Sequence, residues 1–144
     1  MKVVIDTCII VDALQNREPF SQAAQKIIMM SANYAIDAYT TAKAVTDVYY
    51  LCHKCTHSND AARKIISDLL VIIGLADTTG ADIREALTMG LSDFEDAVMV
   101  SAAIRIGAEC IVTRNVKDFR NVEIPVYTPE QFLDMMDSMD EEIE

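Results

Sequence analysis

The stretch Val3-Val4-Ile5-Asp6-Thr7-Cys8 decides the fold. Three β-branched residues in a row carry no helical period, so they read as a short strand buried on both faces, the kind found in parallel sheets. The strand ends at Asp6-Thr7, and a helix through about Gln15 follows. Cys110-Ile111-Val112 is another such strand, stopped by Thr113-Arg114-Asn115. The intervening chain alternates helical patterns with short strand candidates. Ser21 to Met30 puts Ala24, Ile27 and Ile28 on one face, and Lys43 to Lys54 spaces Val45, Val48, Tyr49 and Cys52 helically. Ser58 caps a further helix. Thr79-x-x-Asp82 opens one ending near Met89-Gly90, and the capping box Ser92-x-x-Glu95 opens one running to about Gly107. Thr128-Pro129-x-Gln131 starts the last. Tyr34-Ala35-Ile36 reads as a strand, and Val71 to Ala76 as a helix end passing into one. Strands separated by helices pair in parallel. The pattern therefore predicts an α/β fold, a three-layer sandwich with a central parallel sheet of about four to five strands. Ligands in such sheets bind beyond the carboxyl ends of the strands. Asp6 and the Thr113–Asn115 turn both fall at that edge.

Composition agrees with one domain. The chain has 144 residues, 51% hydrophobic and 24% charged, enough to bury a core. Its 4 Gly and 3 Pro argue against an all-β chain with many tight turns. Apolar runs are too short to span a membrane or to form a secretory leader, which points to the cytoplasm. The net charge of -11 argues against a simple phosphate-gripping protein. The charge is uneven, however. Residues 1–133 read as the domain and residues 134–144 as an acidic tail, solvated and fraying. The tail holds Asp134, Asp137, Asp140, Glu141, Glu142 and Glu144 and no base; without it, 17 acids face 12 bases. Cys8 and Cys110 read as small core residues.

Carboxylates carry the chemistry. Asp6 ends a buried strand with no base near it in sequence, which is costly unless something pairs with it. Asp96 lies in a helix that Ala97, Val98, Ala102 and Ala103 mark as buried. Asp93 is one turn earlier on the same face. Asp47 is mid-helix and could simply pair with Lys43 four residues back. Asn115 and Asp118 follow the late strand. Glu95 reads as the partner of Ser92 in the capping box, and Asp12 as a solvated helix position. Several acids at one site repel and raise one another's proton affinity. A divalent cation removes that conflict, and oxygen ligands without His or Cys favour Mg²⁺ or Mn²⁺. Such an ion activates water against a phosphodiester. Arg114, Lys117 and Arg120 form a basic cluster beside this edge, able to hold nucleic-acid backbone.

Other features point elsewhere. Cys52-x-x-Cys55 with His53 and His57 has ligand spacing for zinc, but Cys52 and His53 project about 100° apart on a helix. A helix C-terminus with favourably placed His and Lys54 explains the set better. An aspartyl-nucleophile phosphatase would need a second Asp two residues after Asp6, where Cys8 stands. No Gly-rich Lys-Ser/Thr loop exists for a nucleotide.

Three segments together resemble a PIN domain: Val3 to Asp12, then Ser92-Asp93-Phe94-Glu95-Asp96-Ala97, then Ile111-Val112-Thr113-Arg114-Asn115-x-x-Asp118-Phe119. Within the family the chain is similar to the small prokaryotic branch ending in Thr-Pro-Glu-x-Phe-Leu, here Thr128 to Leu133. The resemblance implies a parallel sheet flanked by helices and Mg²⁺- or Mn²⁺-dependent ribonuclease activity. It also implies an RNA substrate, an antitoxin protein partner as in VapBC-type pairs, and a homodimer. Carried over by position, the acids are Asp6, Asp47 (where most of the family has Glu) and Asp96, with Asp93 as an extra. The fourth acidic position is Asn115, for which Asp118 can compensate. Thr113 is expected to supply a hydroxyl to the site, and from the basic cluster Arg114 and Lys117 are expected to contact substrate. Asn115 also leaves open a catalytically weak PIN module that binds RNA or a protein partner.

Overall fold

The computed structural model describes residues 1–143. Five strands form one parallel sheet: β1 Lys2–Ile5, β2 Asp37–Thr41, β3 Gly74–Ala76, β4 Cys110–Val112 and β5 Val126–Tyr127, in the order β3-β2-β1-β4-β5. The helices are α1 Thr7–Leu14, α2 Ser21–Ala32, α3 Ala42–Thr56, α4 Asn59–Ile72, α5 Gly80–Thr88, α6 Phe94–Arg105 and α7 Pro129–Ile143, with a 3-10 turn at Val116–Phe119. This is the predicted three-layer sandwich.

Strand alternation sorts the side chains between two layers. Val3 pairs with Cys110 and Ile5 with Val112, and all four join a core built with Ile9 and Ile10 of α1, Ile27 of α2, Val48 of α3, Leu69 of α4 and Phe132 of α7. Val4 pairs with Ile111, and both face the opposite way, against Met99, Val100 and Ala103 of α6. β1 and β4 are therefore buried on both faces, which is why their sequences run apolar without alternation.

The strand expected at Tyr34 to Ile36 lies later, at Asp37–Thr41. Tyr34 has φ 61 and turns the chain after α2, so no strand can pass through it. α6 is capped by Asp93, not Ser92: the Asp93 carboxylate accepts the Asp96 N–H at 3.1 Å. The Thr79/Asp82 box stands as expected. So does the reciprocal Thr128/Gln131 pair, at 3.0 and 3.1 Å. α7 continues through the acidic segment to Ile143, so residues up to there are helix. No helix among the described residues is long and apolar enough to cross a membrane.

Candidate active site

The direction of sheet growth reverses between β1 and β4, because β1 pairs with β2 on one side and β4 on the other. The two chains leaving those strands diverge there and open a crevice. Asp6 is the first residue past β1. Its N–H donates to the Val112 carbonyl at 3.0 Å. Oδ1 accepts the Thr7 N–H at 2.7 Å. Oδ2 accepts the Thr113 hydroxyl at 2.7 Å and the Cys8 thiol at 3.6 Å. Thr113 is fully buried, and its hydroxyl also accepts the Asn115 N–H at 3.2 Å. The Thr113 side chain thus fixes the Asp6 carboxylate.

Thr41 ends β2 and caps α3, accepting the Ala44 N–H at 3.2 Å. A narrow cleft of about 50 Å³ is lined by Asp6, Thr7, Lys43, Asp47, Glu95 and Asp96. It takes residues from the first turns of α1, α3 and α6. The positive dipole ends of these helices offset part of the acids' charge, while first-turn N–H groups are taken by Asp6, Thr41 and Asp93. A larger hollow of about 400 Å³ between α5, α6 and residues 121–123 contains none of the sequence-predicted site residues.

Burial raises the proton affinity of Asp6; the bonds from Thr113, Thr7 and Cys8 oppose this, and the charge of Asp93 adds to it. Asp96 is pushed up to about 7, first by burial and then by the charges of Asp93, Asp6, Asp118 and Glu95. Burial and Asp6 push the Cys8 thiol to about 11, so it is a neutral hydrogen-bond donor here.

Asp6 and Asp96 line one cleft, and the charges of Asp93 and Asp118 act on Asp96. Asp47 faces the same cleft, but its Oδ2 is 2.6 Å from Lys43 Nζ. Glu95 is not a capping partner: its Oε1 is 3.1 Å from the same ammonium. Asn115 is exposed and makes its described bonds through its backbone. Lys117 is exposed.

Two expectations are corrected. Asp12 is not solvated but has no exposed surface; its Oδ2 is 2.7 Å from Arg114 Nε. Arg114 therefore is not a free base for substrate. It is paired with Asp12 and lies over the Phe20 ring, 4.1 Å from its centroid. Cys52 is buried and Cys55 exposed, while His53 stacks on Tyr49, so the Cys/His set does not converge. Sequence reasoning overlooked Lys43 as a lining residue of the cleft. Its i, i+4 spacing from Asp47 was the available signal.

The cleft offers carboxylate and hydroxyl oxygens, the donors that Mg²⁺ or Mn²⁺ takes. Crowded acids at Asp6 and Asp96 are the charge imbalance that such an ion relieves. Among the described residues no three His, Cys, Asp or Glu side chains already converge on one point. Asp6 and Asp96 are the acids of the cleft not paired with a base, whereas Asp47 is paired with Lys43.

An α/β sandwich with an acid cluster at its topological switch point is the class of protein defined so far. The sequence profile described as "PIN domain" matches residues 2–117, and the chain belongs to that family. It is similar to Ribonuclease VapC1 of Aquifex aeolicus (strain VF5), at 25% identity over 96% of this chain and 97% of that protein. The fold is shared with VapBC-1 from nontypeable Haemophilus influenzae, with a TM-score of 0.68 at 14% identity over 90% of this chain and 99% of that one. It is also shared with Mycobacterium tuberculosis VapC20, described as a sarcin-ricin loop cleaving toxin. There the TM-score is 0.64 at 12% identity, over 85% of this chain and 98% of that one.

Proposed function

We propose that this chain is a divalent-metal-dependent ribonuclease and the toxin of a toxin–antitoxin pair. The observation that carries the reading is the acid cluster at the switch point. Asp96 is pushed up to about 7 because burial and four neighbouring carboxylates, Asp93, Asp6, Asp118 and Glu95, disfavour its charge. A protein gains nothing in stability from such a cluster. Support for the substrate comes from the ribonuclease named above, similar over nearly the full length of both chains. Support for an antitoxin partner comes from VapBC complexes that share the fold.

Asp6 and Asp96 would hold Mg²⁺ or Mn²⁺, with Asp93, Asp118 and Asp47 as the further acids available to it. When bound, the ion lowers the pKa of a coordinated water and offsets charge on the phosphoryl oxygens. Thr113 holds the Asp6 carboxylate in place through its 2.7 Å bond. The first turns of α1, α3 and α6 present their dipoles to the phosphodiester. Lys117, exposed beyond β4, contacts the RNA backbone.

The test is cleavage of single-stranded RNA by ion-stripped protein, with and without added Mg²⁺ or Mn²⁺. We expect ion-dependent cleavage leaving a 5′-phosphate and a 3′-hydroxyl. Asp6→Asn should slow it on the order of 10³-fold, since metal-assisted charge stabilisation supplies several kcal/mol of the barrier. Undiminished cleavage by the variant, or by wild type in chelator, would sink the reading. Asn115, a neutral group at the fourth family position, favours a second reading as a weakly active binding module. RNA binding without ion-dependent cleavage would establish that instead.

A further inference from the structure

Lys43 is the lone base among the residues lining the acid cleft. Its Nζ is 2.6 Å from Asp47 Oδ2 on its own helix and 3.1 Å from Glu95 Oε1 at the start of α6. One ammonium thereby ties α3 to α6 across the cleft. Burial works against its charge, but the two carboxylates outweigh that and raise its proton affinity.

Helix energetics do not account for this lysine. It lies in the first turn of α3, where the dipole disfavours a cation. A Lys placed four residues before its acid is also the weaker orientation of the i, i+4 pair. What the position does offer is a view of Asp6 and Asp96, which line the same cleft. The chain has thus put a cation where the proposed divalent ion would need an acid. Asp47 Oδ2 can serve Lys43 at 2.6 Å or an ion at bonding distance, not both at full strength.

We propose that Lys43 is an internal cation latch that withholds Asp47 from the metal until an RNA phosphate draws the ammonium away. The inference rests on the metal-dependent reading above and deepens it. In the substrate-free protein Asp6 and Asp96, with Asp93 and Asp118, would be left to carry the ion, because Asp47 is spent on Lys43. A phosphodiester entering the cleft offers Lys43 a new anionic partner. Asp47 is then released, and its charge adds to the ion's ligands. Ion and RNA bind each other's complex more tightly through this one exchange. Lys43 touches substrate in that state, at a non-bridging phosphate oxygen.

The experiment is a double-substitution cycle read by Mn²⁺ affinity of ion-stripped protein, followed by calorimetry without RNA. Lys43→Gln keeps a polar end but removes the charge, and Asp47→Asn removes the carboxylate. In the wild-type background we expect Asp47→Asn to change Mn²⁺ affinity less than about twofold. Lys43→Gln should tighten Mn²⁺ binding about fivefold or more, the lower end of ordinary coupling between sites. Asp47→Asn added to Lys43→Gln should cancel that gain. A general loss of positive charge would tighten binding whether or not Asp47 is present, so the cycle separates the two. A second arm measures binding of a 2′-O-methyl oligonucleotide, which Lys43→Gln should weaken. Equal effects of Asp47→Asn in both backgrounds would overturn the latch. So would unaltered oligonucleotide binding by Lys43→Gln. Wild-type protein that takes up no Mn²⁺ would overturn the ion site itself, and the latch with it.

Discussion

Asp82 and Asp96 begin neighbouring helices of the same layer, yet their surroundings differ in kind. Asp82, 1% exposed in the first turn of α5, is ringed by donors. Thr79 gives it a backbone N–H at 2.9 Å and a hydroxyl at 3.0 Å, Ser101 a hydroxyl at 2.9 Å, and Arg105 a charged N–H at 3.2 Å. Burial alone would raise its proton affinity, but Arg105 and these bonds outweigh it and lower it. Asp96, in the first turn of α6, is ringed by acids and is raised to about 7. Asp12 belongs with Asp82: it is buried and answered by Arg114. A buried acid that the fold uses for itself comes with its base, whereas Asp96 at the switch point comes with more acids. That difference, more than burial, marks the site.

Removing a base from an answered acid should show the largest effect. Arg114→Ala leaves the Asp12 charge buried with no partner, and breaking a buried pair costs about 3–5 kcal/mol. For a domain of this size that is roughly 10 °C of melting temperature. It also frees the turn that carries Thr113, so cleavage should fall with it. A melting temperature within a degree or two of wild type would show that Arg114 is available to substrate after all.

Removing an unanswered acid should do the opposite. The Asp96 pKa is raised on folding, so its contribution to stability is fully present below the ordinary value of 3.8 and is lost as pH rises through about 7. In chelator at pH 8, Asp96→Asn should therefore melt higher than wild type. The site is partly solvated, so the gain is discounted to about 1 kcal/mol, a few degrees. At pH 4 the gap should close, because wild-type Asp96 is then largely protonated. Asp82→Asn reverses the sign: its lowered pKa contributes stability above 3.8 that is lost as pH falls through the folded value. It should melt lower at pH 8. Thermal scans of both variants across pH compare the two regions directly, and equal signs at pH 8 would erase the distinction.

These contrasts show what the sequence could carry. Strands β1 and β4 were legible because burial on both faces leaves β-branched or apolar runs, Val3 to Ile5 and Cys110 to Val112. The Thr79 and Thr128 caps were legible because capping is local. Asp6 was legible as an acid at a strand end. Asp12 was not, since its partner is 102 residues away and nothing local announces it. β2 was misplaced because Asp37 to Thr41 is polar in sequence, while the apolar Tyr34 to Ile36 is a turn. β5 has two residues, too few for any period. Ser92 and Asp93 are both good caps, and only the chain path chooses between them.

The smallest effect concerns the fourth acid. Asn115 falls where the family resemblance would put that acid, yet its side chain is exposed and the described bonds run through its backbone. Asp118 is held one turn on, its N–H donating to the Asn115 carbonyl at 2.9 Å, and its charge already bears on Asp96. Asp118→Asn should thus weaken Mn²⁺ binding by about twofold to threefold, the scale of one partly screened charge at several ångströms. Asn115→Asp should strengthen it by less, because the new carboxylate starts in solvent. Both lie within reach of calorimetry on ion-stripped protein. If Asn115→Asp outweighs Asp118→Asn, the loop turns its 115 side chain into the cleft when an ion arrives, and Asp118 belongs with the structural acids instead.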